Sequence, residues 1–440
     1  MTGPADTIVS PATPPGIGGV GIVRLSGADV PVIGRKMLGS LPAPRMASLA
    51  TFRDARGQAV DTGIALYFAA PASFTGEDVL ELHGHGGPLV VAMLVDACIA
   101  LGARRAEPGE FSKRAFMNDK IDLAQAEAIA DLISSGTDQA ARAALRTLSG
   151  EFSTAIDALV ERLTGLRVYV EAAIDFPEEE VDFLSDQALA ERIDDCRLRF
   201  DGLLENARAG RVLRDGYRVV LVGKPNAGKS SLMNRLSGED TAIVTEIAGT
   251  TRDVLRENID IDGLAVELVD TAGLRENPDI IEKEGIRRAR EAMASADAVL
   301  WIQDATDKDR NALDEQLPDD IPVIVVRNKI DLVAAGSGEG LALSARTGEG
   351  IDALRRQISE LAGYHNLGEG AFTARQRHVE ALGRAAGHFS DGVEALEAQR
   401  AGELLAEELR LAQQALGEIT GAVSSDDLLG KIFSEFCIGK

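Results

Sequence analysis

The sequence predicts a multidomain protein with an α+β N-terminal domain, a discontinuous α-helical domain, and an α/β domain inserted between the two helical parts. Three observations predict this arrangement. Short apolar strands alternate with helical patterns over residues 215–368, which is the order of a doubly wound α/β sheet. Residues 121–212 and 372–440 are rich in Ala, Leu, Glu and Arg with helical periodicity, and each part alone would form only a marginal bundle. Residues 1–120 mix strand and helix patterns.

Composition limits the classes of protein that fit. The chain has 440 residues, which is long for one core, and an apolar fraction of 45%, which is ordinary for a globular protein. No signal peptide opens it and no apolar window is long enough to span a bilayer. Three widely spaced cysteines, Cys98, Cys196 and Cys437, favour a reducing compartment. We therefore expect a cytoplasmic protein without a membrane partner.

The net charge of −24 argues against broad electrostatic binding of nucleic acid. Basic and acidic residues balance over residues 1–120, so the acidic excess lies further along the chain. An RNA partner would have to meet a local patch, the neutral N-terminal part, or a second protein.

The N-terminal domain is predicted from its patterns. We expect strands at 20–25, 64–68 and 79–83 and a helix at 88–101. The glycines of the segment 16–21 do not form a nucleotide loop, because a strand follows them rather than a helix.

The inserted domain begins with a strand at 217–222, followed by the loop G-x-x-x-x-G-K-S and a helical pattern. This order predicts a P-loop, and hence a P-loop GTPase (Ras-like) fold if guanine is the base. Gly223 and Gly228 let backbone N–H groups face a phosphate. Lys229 can reach the outer phosphates, and Ser230 offers a hydroxyl to Mg²⁺.

A second strand, at 264–269, leads into a D-x-x-G motif made of Asp270, Thr271, Ala272 and Gly273. In such a motif Asp270 supports the Mg²⁺ shell and the amide of Gly273 can sense the γ-phosphate. The next residue is Leu274, where Ras-like switches carry a Gln that orients the attacking water. Either hydrolysis is slow, or another group holds the water. Glu282 is the candidate, and an exposed helix charge is the alternative.

The base is predicted by a third strand, at 321–326, which leads to N-K-x-D: Asn328, Lys329, Ile330 and Asp331. The Asp331 carboxylate can accept hydrogen bonds from N1–H and the 2-amino group of guanine, which adenine lacks. Asn328 fits the other edge of the base, and the stem of Lys329 can lie over it. Ser344 and Ala345 follow in the place of the usual S-A-K motif, with Arg346 instead of Lys. Together the motifs predict a GTP-binding domain.

An arginine finger is missing from these motifs, and a monovalent cation could supply its charge. Asn226 lies inside the P-loop, where its side-chain oxygen could ligate such an ion beside the phosphates. The loop 241–252 would wrap the ion, which leaves Thr250 or Thr251 for Mg²⁺ or the γ-phosphate.

These motifs resemble the tRNA-modification GTPase family MnmE, also called TrmE, over the whole chain. GKPNAGKSS, EIAGTTRD and DTAGLRE resemble its GTPase domain, and other GTPases of the class share them. The segments DTIVSPATPPGIGGVGIVRLSG, FTGEDVLELHGHGG and EFSKRAFMNDKIDLAQAEAI and the terminal CIGK resemble signatures specific to the family.

The resemblance implies a K⁺-stimulated GTPase that acts with an FAD-dependent partner protein, MnmG (GidA). Together the two would add an aminomethyl or carboxymethylaminomethyl group at C5 of the wobble uridine of certain tRNAs. The one-carbon unit would come from a tetrahydrofolate derivative bound by the N-terminal domain at 1–120, which would also form a homodimer.

The resemblance also implies roles for individual residues. K⁺ would be held by Asn226 and Thr250 with the backbone at Thr245 and Ile247, and Mg²⁺ by Ser230 and Thr251. Glu282 would position the water, so the catalytic set is Glu282, Lys229 and Asn226. The nucleotide site would further include Ala227, Ser231, Glu246, Ala248 and Gly249.

A folate pocket is implied at Arg24, Glu81, Lys120 and Lys440. A pterin shows the same amide-plus-amino edge as guanine and suits the Glu81 carboxylate, whereas Arg24 and the lysines would suit the glutamate tail of folate. Cys437 lies in the terminal motif of the family and is a weaker candidate for a part in the modification chemistry. His83 and His85 are expected to be structural.

Two other functions fit parts of the sequence. A ribosome-assembly GTPase, or another RNA-associated switch of the same class, should carry a basic RNA-binding module, and neither flanking region looks like one. A GTP-driven scaffold would fit Leu274 but leaves Glu282 and Asn226 without a role.

Overall fold

A computed structural model describes the protein as two compact units, each treated separately below. One unit comprises Met1–Ala130 with Gly417–Lys440, and the other comprises Asp131–Leu416. The described residues are 6–175, 187–224, 226–239, 255–270, 293, 296–307, 321–333, 339–363, 371–423, 426–434, 436 and 439.

The first unit is built on a six-stranded sheet. Its strands are β1 (Ile8–Pro11), β2 (Gly18–Ser26), β3 (Ser48–Arg53), β4 (Ala59–Phe68), β5 (Val79–Gly86) and β6 (Arg104–Arg105). The spatial order is β3-β4-β5-β2-β1-β6, with antiparallel pairing except between β1 and β6. The helices of this part are α1 (Val30–Leu38), α2 (Pro88–Ala100) and α3 (Glu110–Met117).

Residue alternation gives the sheet one apolar face. Leu25, Leu80 and Leu82 are fully buried in a core that also contains Ile33 of α1 and Leu94 of α2. Because neighbouring residues of a strand point to opposite faces, the alternate residues of β2 and β5 lie on the other face. Arg24, Glu81 and His83 lie on that face, called the polar face below, where β2 pairs with β5.

The C-terminal segment belongs to this unit. Helix α4 (Leu123–Ser134) begins there, and α12 (Asp426–Ser434) places Phe433 and, just beyond it, Phe436 in a core with Leu123. Gly439 approaches Pro11 of β1 so closely that a Cβ would collide with the carbonyl oxygen of Pro11. The apolar terminus is therefore docked, as its sequence predicts.

Five helices of the second unit come from the two sides of the nucleotide-binding part. They are α5 (Asp138–Leu148), α6 (Glu151–Asp175), α7 (Gln187–Asp215), α10 (Gln376–Gln399) and α11 (Gly402–Thr420). Helix α7 packs against α6 and α10, and Phe200 of α7 meets Phe389 of α10 with ring centroids 5.3 Å apart. The division between the units falls within α4 and α11, so the domain boundaries of the sequence analysis stay a prediction.

The nucleotide-binding part contains a second six-stranded sheet. Its strands are β7 (Tyr217–Val222), β8 (Leu255–Ile261), β9 (Leu264–Asp270), β10 (Ala298–Asp304), β11 (Val323–Asn328) and β12 (Leu341–Ala342). The order is β12-β11-β10-β7-β9-β8, parallel except for β8 with β9. Helices α8 (Lys229–Glu239) and α9 (Ile351–Leu361) pack on it through buried Leu232 and Leu354. This is the predicted mixed α/β fold.

Strand β11 begins and ends two residues later than the sequence predicts, and Asn328 is its last residue. No helix within the described ranges combines the length and the apolar character that a bilayer crossing needs.

Candidate nucleotide-binding site

The site lies where the parallel strands of the second sheet end. Leu221 of β7 pairs with Asp270 of β9, and Asp304 of β10 pairs with Asn328 of β11. In parallel strands these positions fall at the same edge, where α/β folds bind ligands. Three motifs that lie far apart in the sequence are thereby brought together.

The P-loop connects β7 to α8 and closes around Lys229. The Lys229 side chain is only 6% exposed, and its Nζ donates to the carbonyl oxygens of Gly223 at 2.8 Å and Lys224 at 3.2 Å. Asn226, at the exposed tip, has a left-handed φ of 63°. A glycine-containing loop that opens a helix and holds a buried ammonium is the arrangement by which P-loops bind phosphate.

Ser230 and Asp270 form a hydrogen-bonded pair of oxygen-bearing side chains beside the loop. The Ser230 hydroxyl donates to Asp270 Oδ2 at 3.0 Å, and Asp270 is fully buried at the end of β9. Mg²⁺ prefers such hard oxygen donors and usually keeps several waters and substrate phosphates as its other ligands. The two residues fit the predicted Mg²⁺, which Ser230 would ligate directly while Asp270 would support its shell.

Asn328 joins the P-loop to the loop after β12. Its Nδ2 donates to the carbonyl oxygen of Ala227 at 2.9 Å, and its Oδ1 accepts from the backbone amides of Lys329 at 2.8 Å and Ala345 at 3.0 Å. Gly228 has φ 97°, and a Cβ there would collide with Asn328 Nδ2. Both lone pairs of Oδ1 are in use, so the predicted contact with the base would fall to the second Nδ2 hydrogen.

The predicted guanine carboxylate is held by the loop after β12. Ser344 donates its hydroxyl hydrogen to Asp331 Oδ1 at 2.7 Å, and a guanidinium nitrogen of Arg346 lies 3.9 Å from Asp331 Oδ2. These contacts orient the carboxylate and leave acceptor positions on both oxygens.

Lys329 connects the guanine motif to the P-loop. Its Nζ donates to the carbonyl oxygen of Asn226 at 2.7 Å and to Asp304 Oδ2 at 2.6 Å. Partial burial opposes ionisation of Asp304, but hydrogen bonds from Lys329 and Thr306 outweigh it and lower the pKa of that carboxyl. The Lys329 ammonium is thus held between the P-loop and the end of β10.

Several predicted residues lie outside the described part of the chain. They belong to the predicted K⁺ and γ-phosphate loop, to the D-x-x-G motif with the water-positioning residue after it, and to the C-terminal motif. The residues are Thr245, Glu246, Ile247, Ala248, Gly249, Thr250, Thr251, Thr271, Ala272, Gly273, Glu282, Cys437 and Lys440.

Of the predicted folate residues, the structure brings Arg24 and Glu81 together on the polar face of the first sheet. They are direct cross-strand partners, with Arg24 Nε and a second guanidinium nitrogen each 2.8 Å from Glu81 Oε1. Lys120 is exposed, and its stem lies beside Gly76. A groove of about 350 Å³ in this unit contains none of the predicted folate residues; it is lined by Leu38, Ser40, Pro42, Ser48, Leu49, Ala50, Thr51 and Arg53.

Sequence reasoning missed a second partner of Glu81, which is His83. The Nε2 atom of His83 lies 3.1 Å from Glu81 Oε2. The signal was present, since residues two apart on a strand share a face. Among the described residues, no group of three or more His, Cys, Asp or Glu side chains could hold a metal ion.

Comparison with known proteins identifies the family. The model of the MnmE helical domain matches residues 123–437, and the model of the GTP-binding protein TrmE N-terminus matches residues 7–120. The first match alone covers more than half of the chain.

Part of this chain resembles solved structures. Era in complex with MgGDPNP and 16S ribosomal RNA nucleotides 1506–1542 is 24% identical over 47% of this chain and 89% of its own, with a TM-score of 0.27. The G domain of the T. maritima FeoB iron transporter is 22% identical over 33% of this chain and 98% of its own, with a TM-score of 0.24. Elongation factor SelB from Methanococcus maripaludis is 19% identical over 33% of each chain, with a TM-score of 0.24.

Because these likenesses are weak, the assignment depends on the two family models and not on the solved structures. Both models belong to one family and together they extend from residue 7 to residue 437. The chain is a GTP-hydrolysing enzyme and belongs to the MnmE (TrmE) family of tRNA-modification GTPases.

Proposed function

We propose that this protein is a K⁺-stimulated GTPase whose hydrolysis cycle drives modification at C5 of the wobble uridine of certain tRNAs. It would act as a homodimer in the cytoplasm with the FAD-dependent protein MnmG. A tetrahydrofolate derivative bound by the N-terminal domain would supply the one-carbon unit. The observation that carries the nucleotide half of the proposal is the convergence of Lys229, the Ser230–Asp270 pair and the Asn328–Asp331 motif on one sheet edge.

The proposed K⁺ site depends on Asn226. Its backbone is held by Lys329 through the carbonyl oxygen, which leaves its side chain at the exposed tip of the P-loop. A cation ligated there would place positive charge where negative charge develops in the transition state. We assign the remaining ligands to Thr245, Ile247 and Thr250, the Mg²⁺ contact to Thr251, and the water to Glu282.

The cation is tested by comparing GTP hydrolysis rates in K⁺ and in Na⁺ at equal ionic strength. We expect faster hydrolysis in K⁺, and we expect Asn226→Ala to remove the difference while nucleotide affinity changes little. Asn234→Ala, at an exposed position of α8, is the matched control and should keep the stimulation. Equal rates in the two salts, or full stimulation in Asn226→Ala, would exclude this role for the ion.

The folate half of the proposal rests on Glu81. A partly exposed carboxylate on a sheet face can accept N–H groups from the amide-plus-amino edge of a pterin. Arg24 is engaged with Glu81, so in the proposed pocket its first role is to hold that carboxylate, and the tail of folate would be left to Lys120 and Lys440. Cys437 remains a proposed participant in the chemistry.

The whole function is tested in cells that lack the protein. We expect their tRNA to lose the wobble uridine modification, measured by nucleoside mass spectrometry, and to regain it with the wild-type gene. An intact modification in the deletion strain would leave only the GTPase assignment.

A further inference from the structure

We propose that His83 is a positioning residue for Glu81, which it fixes so that the carboxylate recognises the amino-bearing edge of a pterin. The inference rests on the proposed folate function and adds a residue that determines its specificity. It concerns the polar face of the first sheet, where Arg24, Glu81 and His83 form one connected group.

The backbone places the three side chains on the same face. Glu81 and His83 are two residues apart on β5, and Arg24 lies directly opposite Glu81 on β2. The side chains are partly exposed, 14% for Glu81 and 23% for His83. The group is therefore held by the sheet and keeps part of its surface exposed to solvent.

The hydrogen bonds determine how much of the carboxylate is available. Glu81 Oε1 takes two guanidinium donors of Arg24 at 2.8 Å, and Oε2 faces His83 Nε2 at 3.1 Å. An ionised carboxylate only accepts, so His83 must carry a hydrogen on Nε2. A carboxylate has about four acceptor positions, and the remaining one lies on Oε2.

His83 thus determines where an incoming N–H can bind. Arg24 alone fixes one oxygen and leaves the carboxylate free to rotate about it, whereas a second donor on Oε2 fixes its plane. The 2-amino group of a pterin would take the open position on Oε2, and the neighbouring ring N–H would approach Oε1 as a third donor beside the two of Arg24. Recognition of two adjacent N–H groups requires such a fixed plane.

The surroundings suit a flat ring. Ile22 and Ile64 are the cross-strand partners of His83, and Leu66 is the partner of Glu81. Directly paired residues share a face, so aliphatic side chains flank the polar group. Such a surface can carry a pteridine ring while Glu81 binds its edge.

The experiment compares two ligands on the full-length protein by calorimetry. One is 5-formyltetrahydrofolate, and the other is its 2-desamino analogue, which lacks the amino group. For His83→Phe, which keeps the ring shape but removes the donor, we expect affinity for 5-formyltetrahydrofolate to fall about tenfold. Affinity for the analogue should fall less than about twofold, because the analogue gains little from a correctly oriented Oε2.

A conservative variant and a control separate positioning from structure. His83→Gln offers an N–H at a similar distance and should recover most of the discrimination between the ligands. His85→Phe is the matched control, because His85 lies on the same strand face but bonds Asp61 at 2.8 Å. It should leave both affinities unchanged. Thermal unfolding of each variant checks that the unit is folded.

The outcomes are distinguishable. An equal loss for both ligands in His83→Phe would show a structural role and overturn the inference, and so would unchanged discrimination. If the wild-type protein binds neither ligand, the proposed folate function is wrong and this inference fails with it.

Discussion

At the residue scale, the nucleotide site depends on one buried amide. Asn328 is 2% exposed and holds the P-loop at Ala227 and the loop after β12 at Ala345. The guanine motif and the phosphate motif are therefore one hydrogen-bonded body around this side chain. Gly228 completes it, because any larger residue would displace Asn328.

We expect Asn328→Ala to weaken nucleotide binding even if the base itself loses only one contact. The substitution leaves the carbonyl oxygen of Ala227 and the amide of Ala345 without this partner, at a cost of about 1–3 kcal/mol for buried groups. GDP affinity, measured by fluorescence titration, should fall at least about tenfold. Asn258→Ala, at an exposed position of β8, serves as the control. Equal GDP affinities in the two variants would contradict the role of Asn328 in holding the two loops together.

At the element scale, both connections to the nucleotide-binding part are fixed on the helices. Residues 371–375 lead into α10, and Thr373 exchanges hydrogen bonds with Thr147 of α5 through its amide at 2.9 Å and its carbonyl oxygen at 3.2 Å. Asp131 lies near the end of α4, and its Oδ1 accepts hydrogen bonds from Arg214 of α7 at 2.9 Å and from Arg375 at 2.8 Å. The incoming and outgoing chains are thereby tied to the same carboxylate.

We expect Asp131→Asn to destabilise the second unit by about 3 kcal/mol, because it leaves the buried Arg375 guanidinium without its countercharge. The measurement is chemical denaturation of the full chain. Asp195→Asn removes an exposed pair with Arg199 of α7 and should change stability by less than about 1 kcal/mol. Similar losses in both variants would show that the Asp131 cluster is no more important than a surface pair.

Helix α3 is anchored by a second charge cluster, in the first unit. Glu110 accepts from Arg104 at 2.6 and 2.8 Å, from Arg114 at 2.9 Å and from the amide of Glu107 at 2.8 Å. Burial raises the pKa of Glu110, but these donors outweigh it and the net pKa is lowered.

A lowered carboxyl pKa stabilises the folded state above the unfolded pKa, about 4.3 for Glu, and the contribution is lost as pH falls through the folded value. We therefore expect Glu110→Gln to reduce the free energy of unfolding at pH 7 by about 2 kcal/mol, which thermal unfolding would show as a lower unfolding temperature. The difference from wild type should shrink below about pH 4. Glu107→Gln, whose side chain is exposed, should match wild type throughout. A difference that is independent of pH would assign the loss to packing.

Much of this architecture follows from local sequence, and the remainder depends on register. The strand at Tyr217–Val222 and the loop to Ser230 were predictable because a buried apolar run, glycines and a helix start are local features. Strand β11 extends to Asn328 because its ladder with β10 continues to Asp304, which no local pattern reveals. Arg24 and Glu81 are 57 residues apart in the sequence, and strand register makes them neighbours. The same register explains why the Arg24 guanidinium bonds this carboxylate.

At the scale of the whole molecule, the division into two units has a thermodynamic consequence. The predicted phosphate, Mg²⁺ and guanine contacts that the structure describes lie within Asp131–Leu416, whereas Arg24, Glu81 and His83 lie in the other unit. A ligand that binds only the folded form stabilises the unit that contains its site. Guanine nucleotides and folates should therefore act on different unfolding transitions.

We expect calorimetry of the full chain to resolve two transitions, of which only one shifts with GDP. At a free concentration one hundred times its Kd, GDP should add about 2.7 kcal/mol to the unit that binds it. Lys229→Ala should abolish this shift, because it removes the buried ammonium of the P-loop, while it leaves the second transition in place. A single transition that moves as a whole with GDP would show that the units unfold together. In that case nucleotide binding would stabilise the unit that contains Arg24, Glu81 and His83 as strongly as the unit that binds the nucleotide, through coupling between the units.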